Sequence, residues 1–372
     1  MNIPAQRKSD LDTPCLILDL DILERNLKKM QAVAGAAGKS LRPHAKTHKC
    51  SALAQKQIEA GAIGICAAKV SEAEALAKAS LDGILITGPV ATPKKIERLV
   101  EILAATPSLM VVVDHRDSID LLDFALREKN LSMDVLVDLN VGLNRTGVNP
   151  ANALELADHI RSRPSLRIRG IQAYAGQVQH IRSYEDRKTA SHQCLQDAVS
   201  VFHELQARVE TCTIFSASGT GTFDIDLAIP EITELQVGSY ACMDTEYLAI
   251  GSANDPTLFT SFSPALRVLT SVVSGNQKGF VTVDAGLKSL YKDGGVPQII
   301  GPDYAGMEYA WFGDEYGKVT SPDGIKIPSI GANLELVTSH CDPTINLFDC
   351  FYLTRGDDVE GTWQIDLRGC SQ

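Results

Sequence analysis

Eight short runs rich in β-branched residues, each followed by a stretch with helical spacing of its apolar positions, constrain this chain more than any other feature. They are Ser40–Lys46, Ile63–Lys69, Gly83–Gly88, Met110–Asp114, Asp134–Asn140, Arg167–Tyr174, Thr211–Ser216 and Glu234–Ser239. Strands that alternate with helices pair in parallel, because a parallel neighbour needs a long crossover and a helix supplies it. Eight such strands are the number that closes a barrel. The expected fold is therefore α/β, a (β/α)8 TIM-type barrel.

The remainder of the chain reads differently. Thr13–Asp19 has strand character and Asp21–Gly38 places Ile22, Leu23, Leu27, Met30 and Val33 on one helical face, so a strand precedes the eight and has no place among them. Beyond Pro256 the pattern turns to strands separated by turns, at Ala265–Ser274, Phe280–Asp284, Leu334–Ser339, Phe348–Leu353 and Thr362–Leu367. A C-terminal, mainly β domain that takes up the N-terminal strand follows. The expected division is residues 22–255 for the barrel, and 1–21 with 256–372 for the β domain.

Charge and cysteine usage narrow the function. Lys and Arg total 35 against 46 Asp and Glu, a formal net charge of −11, which disfavours nucleic acid or an anionic membrane as partner but leaves room for a local pocket for one phosphate. No apolar run approaches the roughly 18 to 20 residues that span a bilayer, and the first residues lack a secretory apolar core, so the expected location is cytoplasmic. Nine cysteines, an odd number without a C-x-x-C pair, read as reduced and mostly buried residues.

In a β/α barrel the reactive groups come from the carboxyl ends of the strands. The first strand ends in Arg42-Pro43-His44-Ala45-Lys46-Thr47-His48-Lys49, and strand alternation puts His44 and Lys46 on one face. A lysine at the mouth of a low-dielectric barrel can be neutralised by desolvation and form an imine with an aldehyde cofactor; the plainer alternative is a solvated lysine at a strand end. The fifth strand runs into Val141-Gly142-Leu143-Asn144-Arg145-Thr146-Gly147, where Arg145 can hold a cofactor oxygen or a substrate anion. The sixth opens into a polar loop with Tyr174 and His180. The seventh ends in Ser216-Ala217-Ser218-Gly219-Thr220-Gly221-Thr222 and the eighth in Gly238-Ser239-Tyr240, small residues at the two places where barrels often bind phosphate. In the β domain, Ser339-His340-Cys341-Asp342-Pro343 places His340 and Asp342 on one face of an extended segment, with Cys341 turned away. That is half of a divalent-cation site, or else a buried histidine paired with an aspartate.

Taken together, Arg42 to Lys49, Asn144-Arg145-Thr146-Gly147, Gln172-Ala173-Tyr174-Ala175-Gly176, Ser218 to Thr222 and His340-Cys341-Asp342-Pro343-Thr344 resemble, in order, the D-threonine aldolases and metal-dependent D-serine dehydratases, relatives of the alanine racemases. The resemblance runs over nearly the whole chain. It implies that Lys46 carries pyridoxal 5'-phosphate, with His44 and Tyr174 among the cofactor-binding residues and Arg145 on the ring oxygen. It implies further that Ser218, Gly219, Thr220, Gly221, Thr222, Gly238, Ser239 and Tyr240 hold the phosphate, and that His340 and Asp342 bind a divalent metal. His180 matches, by its place in the loop, a histidine implicated as the base on the substrate hydroxyl. In this family dehydratases usually carry His-x-Cys and aldolases His-x-Asp, and an oxygen ligand favours Mn²⁺ or Mg²⁺ over Zn²⁺.

The implied activity is retro-aldol cleavage of a small D-3-hydroxy-amino acid, of D-threonine or 3-hydroxy-D-aspartate type, to glycine and an aldehyde. Two alternatives stand beside it: a dehydratase giving a 2-oxo acid and ammonia, and a non-catalytic pyridoxal-phosphate carrier, against which the extra β domain argues. The resemblance also implies a homodimer. Gly313-Asp314-Glu315-Tyr316-Gly317 departs from it, with Tyr316 where relatives often show histidine.

Overall fold

The computed structural model describes residues 6–322 and 326–372. The β-domain assignment of residues 1–5 and 323–325 therefore lies outside the described residues. Two compact units are present. One comprises Lys29–Lys46, Leu53–Gly238 and Gly369–Gln372; the other comprises the described residues up to Lys28, Thr47–Ala52 and Ser239–Arg368. These differ from the expected division chiefly at 47–52 and at 239–255.

In the first unit the eight strands are Ser40–Leu41, Ile65–Ala67, Ile84–Ile86, Met110–Val113, Met133–Asp138, Leu166–Ala173, Ile214–Ala217 and Glu234–Leu235. All neighbours are parallel, in the order one, eight, seven, six, five, four, three, two. A parallel bridge between His44 and Cys66 joins the first strand to the second, with Ala45 N donating to Cys66 O at 2.9 Å and Cys66 N to Pro43 O at 2.7 Å. The sheet thus closes on itself. Ile84-Leu85-Ile86 and Met110 to Val113 are buried throughout, as strands covered on both faces must be. The helices between them are one-sided: Pro93–Ala105 starts with a proline where no N–H is needed and buries Ile96, Leu99, Val100, Ile102 and Leu103.

Most of the strands are shorter than the sequence suggests, the first and the eighth most of all, with two residues each. The first stops at Leu41 because Pro43 has no N–H to give the ladder, although His44 N still reaches Val237 O at 3.0 Å. The seventh begins at Ile214 because Cys212 N turns back to Val209 O at 3.0 Å.

The second unit holds, among the described residues, a ten-stranded sheet. The leading strand Cys15–Asp19 lies inside it, antiparallel to Leu266–Ser274 and parallel to Cys350–Arg355. Having a neighbour on each side explains its unbroken apolar run. Strands at Gln298–Ile300, Glu308–Trp311 and Gly317–Thr320 escape a reading by pattern, being short and separated by Gly, Pro and Asp. Gly313 to Gly317 forms the hairpin turn between the last two, with Gly313 at φ 123°. The final strand is Asp358–Gln364, earlier than expected, because Gly356 at φ 55° turns the chain directly after Cys350–Arg355. No helix among the described residues is long and apolar enough to cross a membrane.

The seam of the barrel carries a buried ion pair. Arg42 Nε and Nη2 donate to Glu234 Oε1 and Oε2 at 3.0 and 2.9 Å, and Nη1 donates to Gly83 O. Both side chains are at most 5% exposed. A bidentate pair of this kind is costly to break, since the survivor is left charged and dry. Glu234→Ala should therefore lower unfolding free energy by about 3–5 kcal/mol, and Arg42→Met with Glu234→Leu should recover most of it. Urea unfolding followed by fluorescence measures this, and a loss of less than about 1 kcal/mol would mean the pair behaves as a surface bridge.

Candidate active site

Lys46 lies not on the strand but in the turn that follows it, half-buried, and its backbone N–H donates to His44 Nδ1 at 3.3 Å. That contact requires a lone pair on Nδ1 and so places the ring proton on Nε2, which donates to Thr87 Oγ1 at 3.0 Å; the Thr87 hydroxyl in turn donates to Ala67 O at 3.2 Å. His44 is thus fixed in orientation and tautomer beside the lysine.

The fifth and sixth strands bring Arg145 and Tyr174 together. The Arg145 guanidinium carbon lies 5.9 Å from the Tyr174 ring centroid. Gly176 makes room for that ring, since a Cβ there would sit 2.7 Å from Tyr174 Cε1. The turn bearing Arg145 is anchored on both sides: Thr146 Oγ1 donates to Asp138 Oδ2 at 2.9 Å and Gly147 N to Asp114 Oδ2 at 3.0 Å. The other oxygen of Asp138 accepts from Gln172 Nε2 at 2.8 Å. Burial pushes the Asp138 carboxyl up to about 6, against the opposing pull of those hydrogen bonds.

After the seventh strand, Ser218 takes φ 74°, a left-handed conformation that non-glycine residues adopt at a cost. Ser218, Thr220 and Thr222 are buried. Thr222 Oγ1 donates to Asp226 Oδ2 at 2.5 Å and accepts from Gln179 Nε2 at 3.0 Å, while Gly221 N donates to Gln179 Oε1 at 3.0 Å. The hydroxyl of Thr222 and the amide of Gly221 are therefore engaged within the protein. Asp226 also accepts from Ser191 Oγ at 2.6 Å, and its burial raises its pKa. His180 lies exposed in the loop after the sixth strand.

Gly238 ends the first unit's main segment. In the second unit Ser239 O accepts from Met243 N at 2.7 Å, and the buried Tyr240 ring packs edge-on to Phe262 at 5.7 Å.

His340 and Asp342 also belong to the second unit. His340 is extended, at φ −147° and ψ 124°, but a short helix, Cys341–Ile345, begins immediately after it, so the extended geometry expected to run on stops here. The pair nevertheless meets, with His340 Nε2 3.8 Å from Asp342 Oδ2. On its other side, His340 Nδ1 lies 2.9 Å from Asp293 Oδ2. Burial works against the imidazolium, but the carboxylates of Asp342, Asp293 and Asp244 outweigh it and raise the His340 pKa. Asp244 itself, pushed up to about 6 by burial, accepts from Cys341 N and Tyr247 N at 3.0 Å each. The Cys341 thiol turns inward to Met243 O at 3.2 Å, and burial holds its pKa well above the usual range.

The donor sets fit the two groups that the resemblance implies. An imidazole whose Nδ1 is held by a carboxylate presents Nε2 as a ligand, and here that nitrogen faces a second carboxylate across a gap that a cation can share. Among the described residues no group of three His, Cys, Asp or Glu side chains forms a complete ligand set. In the barrel, a lysine with a fixed histidine, an arginine over a tyrosine and a buried Gly/Ser/Thr turn suit an aldehyde, a ring oxygen and a phosphate. Three residues central to this geometry escape sequence reading. Asp293 lies 47 positions before His340 and looks like part of an Asp-Gly-Gly turn. Gln179, and Arg187, whose Nε donates to Gly221 O at 2.7 Å, look like loop and helix-surface residues; the one hint is a cation in the first turn of a helix, where the dipole disfavours it.

Comparison with known proteins agrees with this geometry. Residues 18–246 match the family model of the alanine racemase N-terminal domain, and residues 265–354 that of a putative serine dehydratase domain. A D-threonine aldolase of Arthrobacter sp. is 39% identical, over 99% of this chain and 96% of its own length. A 3-hydroxy-D-aspartate aldolase of Paracoccus denitrificans (strain Pd 1222) is 37% identical, over 99% and 95%. The crystal structure of D-threonine aldolase from Filomicrobium marinum superposes with a TM-score of 0.93 at 35% identity, covering both chains fully. Matching dehydratases are more distant. A barrel with a lysine at the end of its first strand and a β domain with a His-x-Asp pair, matched over the full length by these relatives, place the chain in the alanine-racemase-like family, among the carbon–carbon lyases of D-threonine aldolase type.

Proposed function

We propose that this chain uses pyridoxal phosphate and a divalent cation to cleave D-3-hydroxy-α-amino acids of D-threonine or 3-hydroxy-D-aspartate type into glycine and an aldehyde. The observation that carries the reading is the His340 and Asp342 pair, facing each other and braced by Asp293, with the Cys341 thiol turned away. A site with a carboxylate in place of a thiolate suits Mn²⁺ or Mg²⁺.

Lys46 Nζ is the amine that would hold the cofactor aldehyde, with His44 orienting the turn from which it projects. Arg145 would donate to the ring oxygen from beside Tyr174. Ser218, Gly219 and Thr220 of the glycine turn, with Gly238, Ser239 and Tyr240, would hold the phosphate, Gly221 N and Thr222 Oγ1 being bonded to Gln179 instead. His340 Nε2 and Asp342 Oδ2 would hold the cation, with water or substrate oxygens completing its shell. Pyridoxal phosphate supplies an aldehyde that captures amines and a ring that takes up charge from the α-carbon, and the cation supplies a Lewis acid for oxygen. A ring nitrogen of His180 takes the proton of the substrate β-hydroxyl, the Cα–Cβ bond breaks to release the aldehyde, and a proton delivered to Cα gives glycine. Nine free cysteines fit a reducing, cytoplasmic setting.

A homodimer completes the reading. Leu287, Tyr291, Val296, Phe312, Tyr316 and Ile330, all in the second unit, are 38 to 64% exposed, apolar side chains that a second copy would cover. Light scattering should give twice the chain mass, and a fully active monomer would remove this part of the reading.

Purified protein with pyridoxal phosphate and Mn²⁺ should convert D-threonine or 3-hydroxy-D-aspartate to glycine and aldehyde. EDTA should abolish the activity, added metal should restore it, and Lys46→Ala should lack it. A 2-oxo acid with ammonia would mean a dehydratase, and neither product would leave a carrier.

Asp293→Asn should weaken metal binding by about 10–100-fold while leaving pyridoxal phosphate affinity unchanged, measured by titrating Mn²⁺ against activity and against calorimetric heat. Equal metal affinity would remove Asp293 from the site.

A further inference from the structure

Two segments of the barrel unit, the loop carrying His180 and the turn from Ser218 to Thr222, share one buried set of hydrogen bonds. Gln179, 1% exposed, accepts from Gly221 N and donates to Thr222 Oγ1, both at 3.0 Å, and its Nε2 also reaches Ala175 O at 3.3 Å. Arg187, fully buried, donates from Nε to Gly221 O at 2.7 Å and from Nη1 to Ile181 O at 2.6 Å, with Arg182 O at 3.4 Å. The N–H and the C=O of Gly221 are thus each held from the opposite segment. The approach leaves no room for side chains: a Cβ on Gly221 would overlap the Gln179 backbone oxygen, and one on Gly219 would lie 2.5 Å from Gln179 Oε1.

Stability alone does not account for Arg187. It sits in the first turn of the helix Tyr184–Arg208, where the dipole repels a cation, and its burial lowers its pKa, the charges of Asp224 and Tyr184 offsetting this only in part. An apolar side chain there would avoid both costs. What an apolar side chain lacks is a planar fork that fixes carbonyls from two segments at once.

We infer that Arg187 and Gln179 are positioning residues that lock the His180 loop to the glycine turn, so that the cofactor phosphate and the base on the substrate hydroxyl are held as one rigid piece. The inference rests on the functional reading above. It makes cofactor affinity and turnover respond together to a side chain that touches neither cofactor nor substrate.

Arg187→Lys keeps the charge and loses the fork; Gln179→Met keeps the volume and loses the amide. In the full-length protein, hydrogen exchange followed by mass spectrometry should show the peptides spanning 175–182 and 219–223 losing protection together in either variant. The dissociation constant for pyridoxal phosphate should rise about tenfold or more, as the loss of a buried charge-assisted hydrogen bond allows. kcat should fall by a similar factor, with KM for D-threonine changing less than about threefold, because the substrate's own contacts remain. Exchange that rises in one segment only, or cofactor affinity and kcat per folded molecule at the wild-type level, would overturn the inference. If Arg187→Lys fails to fold, Gln179→Met decides alone, since it disturbs no buried charge. Wild-type protein that takes up no pyridoxal phosphate would overturn the cofactor reading instead, and the exchange pattern would still decide whether the two segments move as one.

Discussion

A parallel barrel has to close, and here the two strands that carry Arg42 and Glu234 at the closure, the first and the eighth, have only two residues each. The first strand has two ladder residues before Pro43 interrupts it, yet it must place Lys46 only a few residues later. The Arg42–Glu234 pair compensates. One guanidinium reaches the eighth strand through Glu234 and the start of the third through Gly83 O, while Gly64, ahead of the second, lies so close that a Cβ there would overlap Arg42 Nη1 and Gly83 O. Two buried hydrophobic residues could supply comparable stability, but they could not direct the chain, and the planar fork can.

At the other end of the strands the same logic recurs with amides and hydroxyls around a single carboxyl, Asp138. Gln172 donates to Asp138 Oδ1 and Thr87 O and accepts from Gln236 Nε2, which also reaches Ser216 Oγ. Side chains from the fifth to eighth strands are thereby tied to the third across the carboxyl end of the barrel. A polar layer in a dry place is costly unless its members are paired, and these contacts pair them; once paired it is stiff. Its outlying members do the positioning: Thr87 meets His44 Nε2, and Asp138 holds Thr146 beside Arg145.

What could be read from the sequence follows from the range of the interactions involved. Strand existence is local, since a run such as Met110-Val111-Val112-Val113 has few other places to go, and all eight barrel strands were legible. So was the recruitment of Cys15–Asp19 by the β sheet, because a leading apolar strand needs partners. Strand ends were less so, as at Pro43 and Cys212, where one hydrogen bond decides the matter. Residues that could be nominated for the site, among them Lys46, Arg145, His340 and Asp342, stand in short motifs with unusual chemistry. Asp293, Gln179, Arg187 and Asp138 do not. Each acts through a partner distant in sequence, and by itself reads as a turn, a loop, a helix surface or a strand end.

The His340 to Asp342 segment shows how a correct pairing can arise from a different geometry. Continued extension would have set the two side chains on one face, but the chain turns helical at Cys341, and Asp244 takes the Cys341 N–H at the helix start. His340 remains outside the helix and extended, so its ring, held by Asp293, still comes within 3.8 Å of Asp342. The same turn sends Cys341 inward, where its thiol meets Met243 O and is too costly to ionise. The thiol at 341 thus points away from the pair, and the carboxylate at 342 is what a cation would meet. That distinction bears on the chemistry. Breaking Cα–Cβ requires that the β-hydroxyl lose its proton while the oxygen stays, whereas dehydration requires the oxygen to leave, so the two reactions ask different things of whatever meets that oxygen.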